Sequence, residues 1–298
     1  MRLKLKKYLL PFFFVFPFAV HAQMLMFEAG YVPDPYLVHP QSEWKWEKQQ
    51  VYDTAFVKLR YRMSFWNTAK DERYQDNRIV FVGRNGYRRD ASEILEVMDW
   101  KDTKTPYTDT LQRYTYNMPA YPATYFTAPD GKTWTLFRTL FTGPILRYEE
   151  KPAEFNWQLL PETDSVAGFA CQKAVTDYKG RRYIAWYCSD VAVHAGPYKF
   201  NGLPGLIIKV EDTCGDYRWE LNGIKPVDVP LGEKQFVIQK STRQQARRLI
   251  ETMFARPYVF LSQTLGFRIK ILDDYENSHL AGEKEFSVNL YYSPIELE

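Results

Sequence analysis

The sequence predicts a mainly β protein of the α+β class, in which a curved antiparallel sheet, or half-barrel, carries one or two packed helices. Three observations support this fold class. Stretches that alternate apolar and polar residues recur from Ala55 to Leu221, and turn-forming Gly, Pro, Asn and Asp residues separate them. Aromatic residues make up 17% of the chain, and such rings favour strands. An amphipathic helix with a clear start signal follows the strands, near Ser241.

The first 22 residues have the composition of a cleavable secretory signal peptide. A basic leader precedes a short apolar run, and Val20-His21-Ala22 is a small-residue cleavage site. The run is shorter than the ~20 apolar residues that a membrane span requires. We therefore expect cleavage after Ala22, a periplasmic or otherwise exported chain, and no transmembrane segment in the mature chain. A retained anchor is the alternative.

Beyond the signal peptide, the sequence predicts an extended arm and one domain. Prolines recur in residues 23–50, which indicates an extended arm, and residues 51–298 are predicted to form a single β-rich domain. The formal charge of +3 falls to −1 once the four cations of residues 1–22 are removed. A near-neutral chain gives no electrostatic reason to expect nucleic acid or an anionic membrane surface as a partner.

Strand signals follow one another along the first half of the domain. Residues 56–63 alternate with the period of two that a half-buried strand shows, residues 77–82 repeat the pattern, and Gly83-Arg84-Asn85-Gly86 then turns the chain back. Pro129-Asp130-Gly131 predicts a turn between two further strands. The remaining elements predicted by pattern are strands at 121–127, 133–140, 145–149, 155–159 and 286–290 and a short helix at 91–98.

Residues 169–188 form a hairpin whose register can be derived. If Lys179-Gly180 is a two-residue loop, Tyr178 faces Arg181 and all paired residue numbers sum to 359. Opposite charges, branched side chains and a cation over a ring then face each other, which favours this register. The pairs concerned are Asp177 with Arg182, Val175 with Ile184, and Lys173 with Trp186.

The same register places Cys171 opposite Cys188. Their position is a non-hydrogen-bonded one, where Cα atoms lie ~4.5 Å apart, within the range that a disulfide needs. Since an exported chain meets an oxidising compartment, we predict a Cys171–Cys188 disulfide; two reduced core cysteines are the alternative. Cys214, in a turn between two strands, is expected to be a free thiol.

The helix predicted near the end of the domain shows an N-terminal capping signal, an apolar stripe and a C-terminal stop signal. Ser241 is a candidate N-cap, with Gln244 three residues on as its capping-box partner. Pro257 ends the pattern. The stripe that should lie across the sheet is Ala246, Leu249, Ile250, Met253 and Phe254. On the other side, Arg243, Arg247 and Arg248 are expected to face solvent.

Residues 196–207, hereafter the signature segment, are both stiff and apolar. Asn201-Gly202 and Pro204-Gly205 predict tight turns, the second of type II, and the segment runs into a buried strand at 206–210. Its apolar side chains either plug the end of the core or form a preformed docking surface. The candidate binding residues are Trp186, Gly196, Pro197, Phe200, Gly202, Leu203, Pro204, Gly205, Leu206 and Ile207.

The sequence contains none of the common catalytic or metal-binding motifs. It lacks a Gly-x-Ser-x-Gly elbow, a phosphate loop, a His-Glu-x-x-His pair and a Cys-x-x-Cys pair, so we predict no cofactor and no metal site. Ser189, Asp190 and His194 are the residue types of a hydrolase triad, but their close spacing matches no known triad arrangement.

Residues 202–207, Gly-Leu-Pro-Gly-Leu-Ile, resemble the signature of the GLPGLI family. The surrounding chain is similar to that family at Trp157, at 168–174, at 185–187 and in the closing residues 294–297. The resemblance implies an exported envelope protein of the Bacteroidetes type, often encoded near TonB-dependent outer-membrane receptors. It implies no activity, so no catalytic residue follows from it.

Three functions remain open at this stage. The first is a non-enzymatic periplasmic binding or accessory protein that holds an apolar ligand, such as a lipid, or docks on an outer-membrane partner such as a TonB-dependent receptor. The apolar ligand is suggested by an analogy of fold, because the predicted curved sheet resembles the half-barrel of lipoprotein carriers. The second is a small envelope hydrolase acting through Ser189 or Cys214. The third is a purely structural envelope protein in which the signature segment is a folding element.

Overall fold

A computed structural model describes residues 24–28, 49–67, 72–102, 121–140, 143–234, 238–272, 278–285 and 294–298. The predicted signal peptide, most of the predicted arm and the predicted strand at 286–290 lie outside these residues.

Strands dominate the described residues. The strands are β1 (Met24–Glu28), β2 (Gln49–Asn67), β3 (Glu72–Gly83), β4 (Arg88–Ser92), β5 (Ala123–Thr127), β6 (Thr133–Arg138), β7 (Ile145–Glu150), β8 (Gln158–Val166), β9 (Phe169–Tyr178), β10 (Arg181–Cys188), β11 (Leu206–Asp212), β12 (Tyr217–Lys234), β13 (Ile238–Lys240), β14 (Arg268–Leu272) and β15 (Ser278–Leu280). The helices are α1 (Glu93–Asp102), α2 (Arg243–Ala255) and α3 (Pro257–Val259), which continues into a π-helical turn (Phe260–Thr264). None of them is long and apolar enough to cross a bilayer.

Among the described residues, twelve strands form one large sheet, built from two antiparallel meanders. Strands β2 to β7 follow one another across one half, strands β8 to β12 follow one another across the other, and β2 pairs with β12 at the junction. Strand β13 adds to β7 in the parallel sense, so the sheet is mixed rather than wholly antiparallel. Its edges are β13 and β8, so it is not closed into a barrel. Strands β1, β14 and β15 form a separate small sheet.

The large sheet is strongly curved. Tyr52 of β2 and Trp134 of β6 are separated by three intervening strands, yet their ring centroids lie 5.4 Å apart. In a flat sheet, four strand spacings would separate them by roughly 19 Å. The curvature brings Tyr52, Phe126 and Trp134 into a second, smaller core.

The face of the sheet that carries the main core is here called the inner face. Leu59, Tyr61, Met63 and Phe65 alternate along β2 on this face, and each is at most 1% exposed. The signature segment and α2 pack against them in one continuous cluster. The curved-sheet prediction is therefore confirmed at this coarse level, and a helix does lie against the sheet.

The derived hairpin register is confirmed. Strand β9 pairs with β10 from Tyr178–Arg181 to Gln172–Tyr187, and every pair sums to 359. The Lys173 ammonium lies 5.8 Å from the ring centroid of Trp186, as that register requires.

The predicted disulfide is not present in the structure. Cys171 and Cys188 are both free, buried thiols. The β9–β10 pairing ends at Gln172–Tyr187, one position before the two cysteines, so Cys171 and Cys188 are not paired across the hairpin as the prediction assumed. Cys214 is free and exposed.

Several element boundaries differ from the predictions, and three of the differences are informative. Ala91 and Ser92 belong to β4, so α1 starts later than expected. The segment predicted as a strand at 155–159 is irregular up to Trp157, and β8 begins at Gln158. Strand β12 continues well beyond Leu221 through Pro226 and Pro230, and bulges at 226/229 and 231/232 lie next to these prolines.

The helix α2 begins one residue later than predicted. Its N-cap is Thr242, whose hydroxyl accepts a hydrogen bond from the Gln245 N–H while the Gln245 side chain accepts one from the Thr242 N–H. The predicted cap, Ser241, instead donates a hydrogen bond from its backbone N–H to the carbonyl of Arg147 in β7. Since Ser241 and Thr242 are both good caps, the sequence alone did not distinguish them.

Candidate functional site

The apolar side chains of the signature segment lie inside the protein. Tyr198, Phe200, Leu203, Leu206 and Ile207 are each at most 3% exposed, and they pack on the inner face of the sheet. The Phe200 ring contacts the rings of Tyr183 and Trp219 at centroid distances of 4.9 and 5.7 Å. Most of the segment therefore fills the core.

Buried polar groups of the sheet hold the backbone of this segment. A carboxylate oxygen of Asp90 accepts a 2.5 Å hydrogen bond from the Tyr198 N–H. The Arg88 guanidinium donates to the Phe200 carbonyl at 2.7 Å, and the Tyr61 hydroxyl donates to the Ile207 carbonyl at 2.7 Å. These bonds satisfy loop groups that would otherwise be buried without partners, so they fix the position of the segment.

The turns of the segment need its glycines. Gly202 has a φ of +86°, as the tight turn predicted at this position requires. The second turn differs from the type II prediction, because the Gly205 N–H donates to the Leu203 carbonyl at 2.9 Å in a γ-turn centred on Pro204. A Cβ on Gly205 would lie 2.1 Å from the Cys188 carbonyl oxygen, so only glycine fits there.

Only the tip of the segment reaches the surface. Gly202 and Pro204 are exposed, whereas Leu203 between them is buried. The Trp157 indole N–H donates to the Asn201 carbonyl at 2.7 Å, and the Trp157 ring stacks on Phe155. Residues 201–204 and Trp157 are hereafter called the signature tip.

Residues 294–298, hereafter the strap, lie in a groove beside the signature segment. The Arg181 guanidinium donates to the Pro294 carbonyl at 2.8 Å, and the Tyr183 hydroxyl donates to the Ile295 carbonyl at 3.1 Å. The Leu297 N–H donates to the Lys179 carbonyl at 2.9 Å. Hairpin β9–β10 therefore forms one wall of this groove.

Glu296 is the most heavily bonded side chain of the strap. Its carboxylate contacts the Lys199 ammonium at 2.7 Å and Arg243 at 2.7 Å, and it accepts a hydrogen bond from the Tyr198 hydroxyl. Burial opposes its ionisation, but the charge of Lys199 and the hydrogen bonds from Lys199, Tyr198 and Arg243 outweigh burial and lower the pKa of Glu296 to about 2. Glu296 is therefore a carboxylate at neutral pH.

Glu150 completes a four-charge network with the same two cations. It contacts Lys199 at 2.6 Å and Arg243 at 3.0 Å. The side chains of Glu150 and Lys199 are 9% and 3% exposed. Burial and the nearby Glu296 carboxylate raise the pKa of Tyr198 well above its ordinary value, so its phenol remains a donor.

A small pocket opens beside this network. Its volume is about 60 Å³, which holds roughly two water molecules. Thr135 lies between Tyr125 and Tyr148 on neighbouring strands, and among the described residues its buried hydroxyl has no hydrogen-bond partner. The pocket is lined by Tyr121, Tyr125, Phe137, Tyr148, Tyr198, Lys199, Arg243, Arg247, Ile250, Pro294, Ile295 and Glu296.

The other predicted site residues lie elsewhere. Trp186 alternates with Ala185 and Tyr187 and so belongs to the opposite face of β10 from them. Gly196 and Pro197 are buried at the start of the signature segment. Ser189 and His194 are exposed, and no hydrogen bond between them is found in the described part of the chain. The described residues also contain no His, Cys, Asp and Glu cluster that could hold a metal.

Sequence reasoning missed the charged residues of the network. It assigned Arg243 to a solvated helix face, whereas Arg243 forms a half-buried ion pair with Glu150 at 3.0 Å. A usable signal existed for Glu150, because Leu146, Tyr148 and Glu150 alternate along β7 and must share a face. No comparable signal existed for Glu296, since these contacts come from residues 53 to 98 positions away.

Comparison with protein families gives one match. A family model described as "Protein of unknown function (Porph_ging)" matches residues 176–209. The matched stretch is a short part of the chain, and it includes the whole signature segment. No curated protein matches the chain.

Comparison with solved structures gives distant likenesses. The structure of PNGF-II in the P21 space group has a TM-score of 0.44 and 17% identity over 66% of this chain and 33% of that chain; the C2 form has a TM-score of 0.43 and 16% identity over 66% and 32%. The LolA superfamily protein NE2245 from Nitrosomonas europaea has a TM-score of 0.24 and 9% identity over 60% and 88%. This chain thus spans about a third of the length of the PNGF-II chains.

Proposed function

We propose that this chain is a non-enzymatic accessory protein of the cell envelope that docks on a protein partner through the signature tip. One observation carries the proposal. The signature segment buries its large side chains on the inner face of the sheet and turns Gly202 and Pro204 outward beside the half-buried indole of Trp157. A glycine-proline turn next to an aromatic ring is rigid and apolar, and binding to a rigid surface loses little conformational entropy.

Docking is favoured over the storage of an apolar ligand. The inner face, where a carrier would hold a lipid, is occupied by Tyr198, Phe200, Leu203 and helix α2. The pocket beside them has a volume of about 60 Å³ and three ion-paired cations in its lining, whereas pockets for drug-sized ligands measure about 300–1,000 Å³. The resemblance to exported envelope proteins makes an outer-membrane protein, such as a TonB-dependent receptor, the expected partner.

The test is cross-linking in intact cells followed by purification of the tagged chain. We expect an outer-membrane protein to be recovered with the wild-type chain and lost with Pro204→Asp, which places a charge on the signature tip. Val229→Asp is the matched control, because Val229 is also exposed but lies on β12. Equal recovery of the same proteins with all three chains would overturn the proposal.

A further inference from the structure

The groove that holds the strap has the construction of a peptide-binding groove. Three elements form its walls: hairpin β9–β10, the signature segment and helix α2. Side chains of the hairpin and of α2 donate hydrogen bonds to the strap carbonyls, with Arg181 bonded to Pro294 and Arg247 bonded to Leu297 at 3.0 Å. The signature segment instead contacts the Glu296 side chain through Tyr198 and Lys199. Side-chain donors to main-chain carbonyls recognise an extended backbone whatever its sequence.

Two adjacent subsites of the groove select for sequence. The Ile295 side chain is 3% exposed and belongs to the main core cluster. The next residue, Glu296, is bound by Lys199 and Arg243. An apolar residue followed by a carboxylate is therefore the pattern that this groove fits.

The strap has fewer backbone hydrogen bonds than the strands around it. One backbone–backbone hydrogen bond, from Leu297 to Lys179, joins it to the rest of the described residues. Leu297 is 45% exposed, so Ile295 provides most of the deeply buried apolar surface of the strap. A segment with few ladder bonds and little buried apolar surface opens at a lower free energy than the core.

We propose that this groove is a receptor for an extended acidic segment of a partner protein, and that the strap is its intramolecular occupant. The partner segment carries an apolar residue followed by Glu or Asp. Lys199 and Arg243 bind the carboxylate of this segment, because Glu150 offsets only one of their two positive charges. Arg181 and Arg247 donate to its main-chain carbonyls. This surface is distinct from the signature tip, so either proposal can fail without the other.

The test is fluorescence polarisation with a labelled peptide of the sequence of residues 294–298. The intramolecular strap competes at a high effective concentration, so binding to the wild-type full chain should be weak. The Glu296→Ala full chain, with a loosened strap, should bind the peptide at least tenfold more tightly. A peptide with Gln in place of the first Glu is the matched control and should bind that variant at least tenfold more weakly. Equal affinities for the two peptides, or no binding by the folded variant, would overturn the proposal.

Hydrogen exchange on the wild-type chain provides a second test that does not depend on the variant's folding. We expect the Leu297 amide to exchange at least a hundredfold faster than the Ile207 amide, which bonds the Ala195 carbonyl in the core. Equal protection would show that the strap opens only on global unfolding and would overturn the proposal. If light scattering instead finds a dimer with exchanged straps, the occupant is a second copy and the assignment to a different partner is wrong.

Discussion

At the scale of single residues, the stability of the fold depends on buried charged side chains that form ion pairs. Lys199 and Glu150 are almost fully buried, and their contacts with Arg243 and Glu296 join the signature segment, β7, α2 and the strap. Removing one member of such a network leaves its partner buried without compensation, which costs more than the intact network contributes. Single substitutions here should therefore have large effects.

The protonation of Glu296 should make stability depend on acid pH. Its pKa is 4.5 in the unfolded chain and about 2 in the folded one, so its stabilising contribution is complete above pH 4.5 and is lost as the pH falls towards 2. The shift corresponds to about 3 kcal/mol. Thermal melting between pH 7 and pH 3 should therefore show a steeper loss for the wild type than for Glu296→Gln. Parallel curves for the two chains would contradict this assignment.

Two neighbouring residues of the signature segment should lose very different amounts of stability on the same substitution. Leu203 is 3% exposed, so Leu203→Asp buries an unpaired carboxylate and should lower the free energy of unfolding by at least about 3 kcal/mol. Pro204 is exposed, so Pro204→Asp should cost about 1 kcal/mol or less. Urea unfolding monitored by tryptophan fluorescence measures both. Similar losses in the two variants would show that the segment is not anchored as described.

The three cysteines should differ in reactivity. Cys214 is exposed, whereas Cys171 and Cys188 are buried, and burial raises the pKa of Cys171 to about 11. Titration with Ellman's reagent should detect one thiol in the native protein and three after unfolding in guanidinium. One thiol under both conditions would reveal the disulfide that the sequence predicted and the structure lacks.

At the scale of elements, local signals determined what could be predicted. The register of hairpin β9–β10 was predictable because a two-residue loop fixes every pair that follows it. The course of β12 beyond Leu221 was not, because prolines normally end a strand and the bulges that admit them depend on β2. The start of α2 was misplaced by one residue because two adjacent side chains can both cap a helix.

The cap of α2 allows a matched pair of substitutions. Thr242→Ala removes the hydroxyl that accepts from Gln245 and should lower the free energy of unfolding by about 1 kcal/mol. Ser241→Ala should change it much less, because the Ser241 hydroxyl has no hydrogen-bond partner among the described residues. Chemical denaturation distinguishes the two variants, and equal losses would mean that the cap is not Thr242.

At the scale of the whole molecule, one pairing joins the two halves of the sheet. Strands β2 and β12 lie more than 150 residues apart in the chain, and their pairing brings the two meanders together. No local pattern predicts such a partner, so the sequence indicated the strands and the fold class but not the strand order. For the same reason, the sequence predicted that the signature segment is apolar but did not show that it packs on the inner face of the sheet.

The central claim is that the chain's own signature segment fills the inner face of the sheet and leaves no room there for an apolar ligand. Native mass spectrometry of the protein purified from its native cells, followed by organic extraction, tests this most directly. The account predicts the mass of the polypeptide alone and no stoichiometric lipid in the extract. A lipid bound at one per chain, and lost on Leu203→Asp but kept on Pro204→Asp, would contradict it.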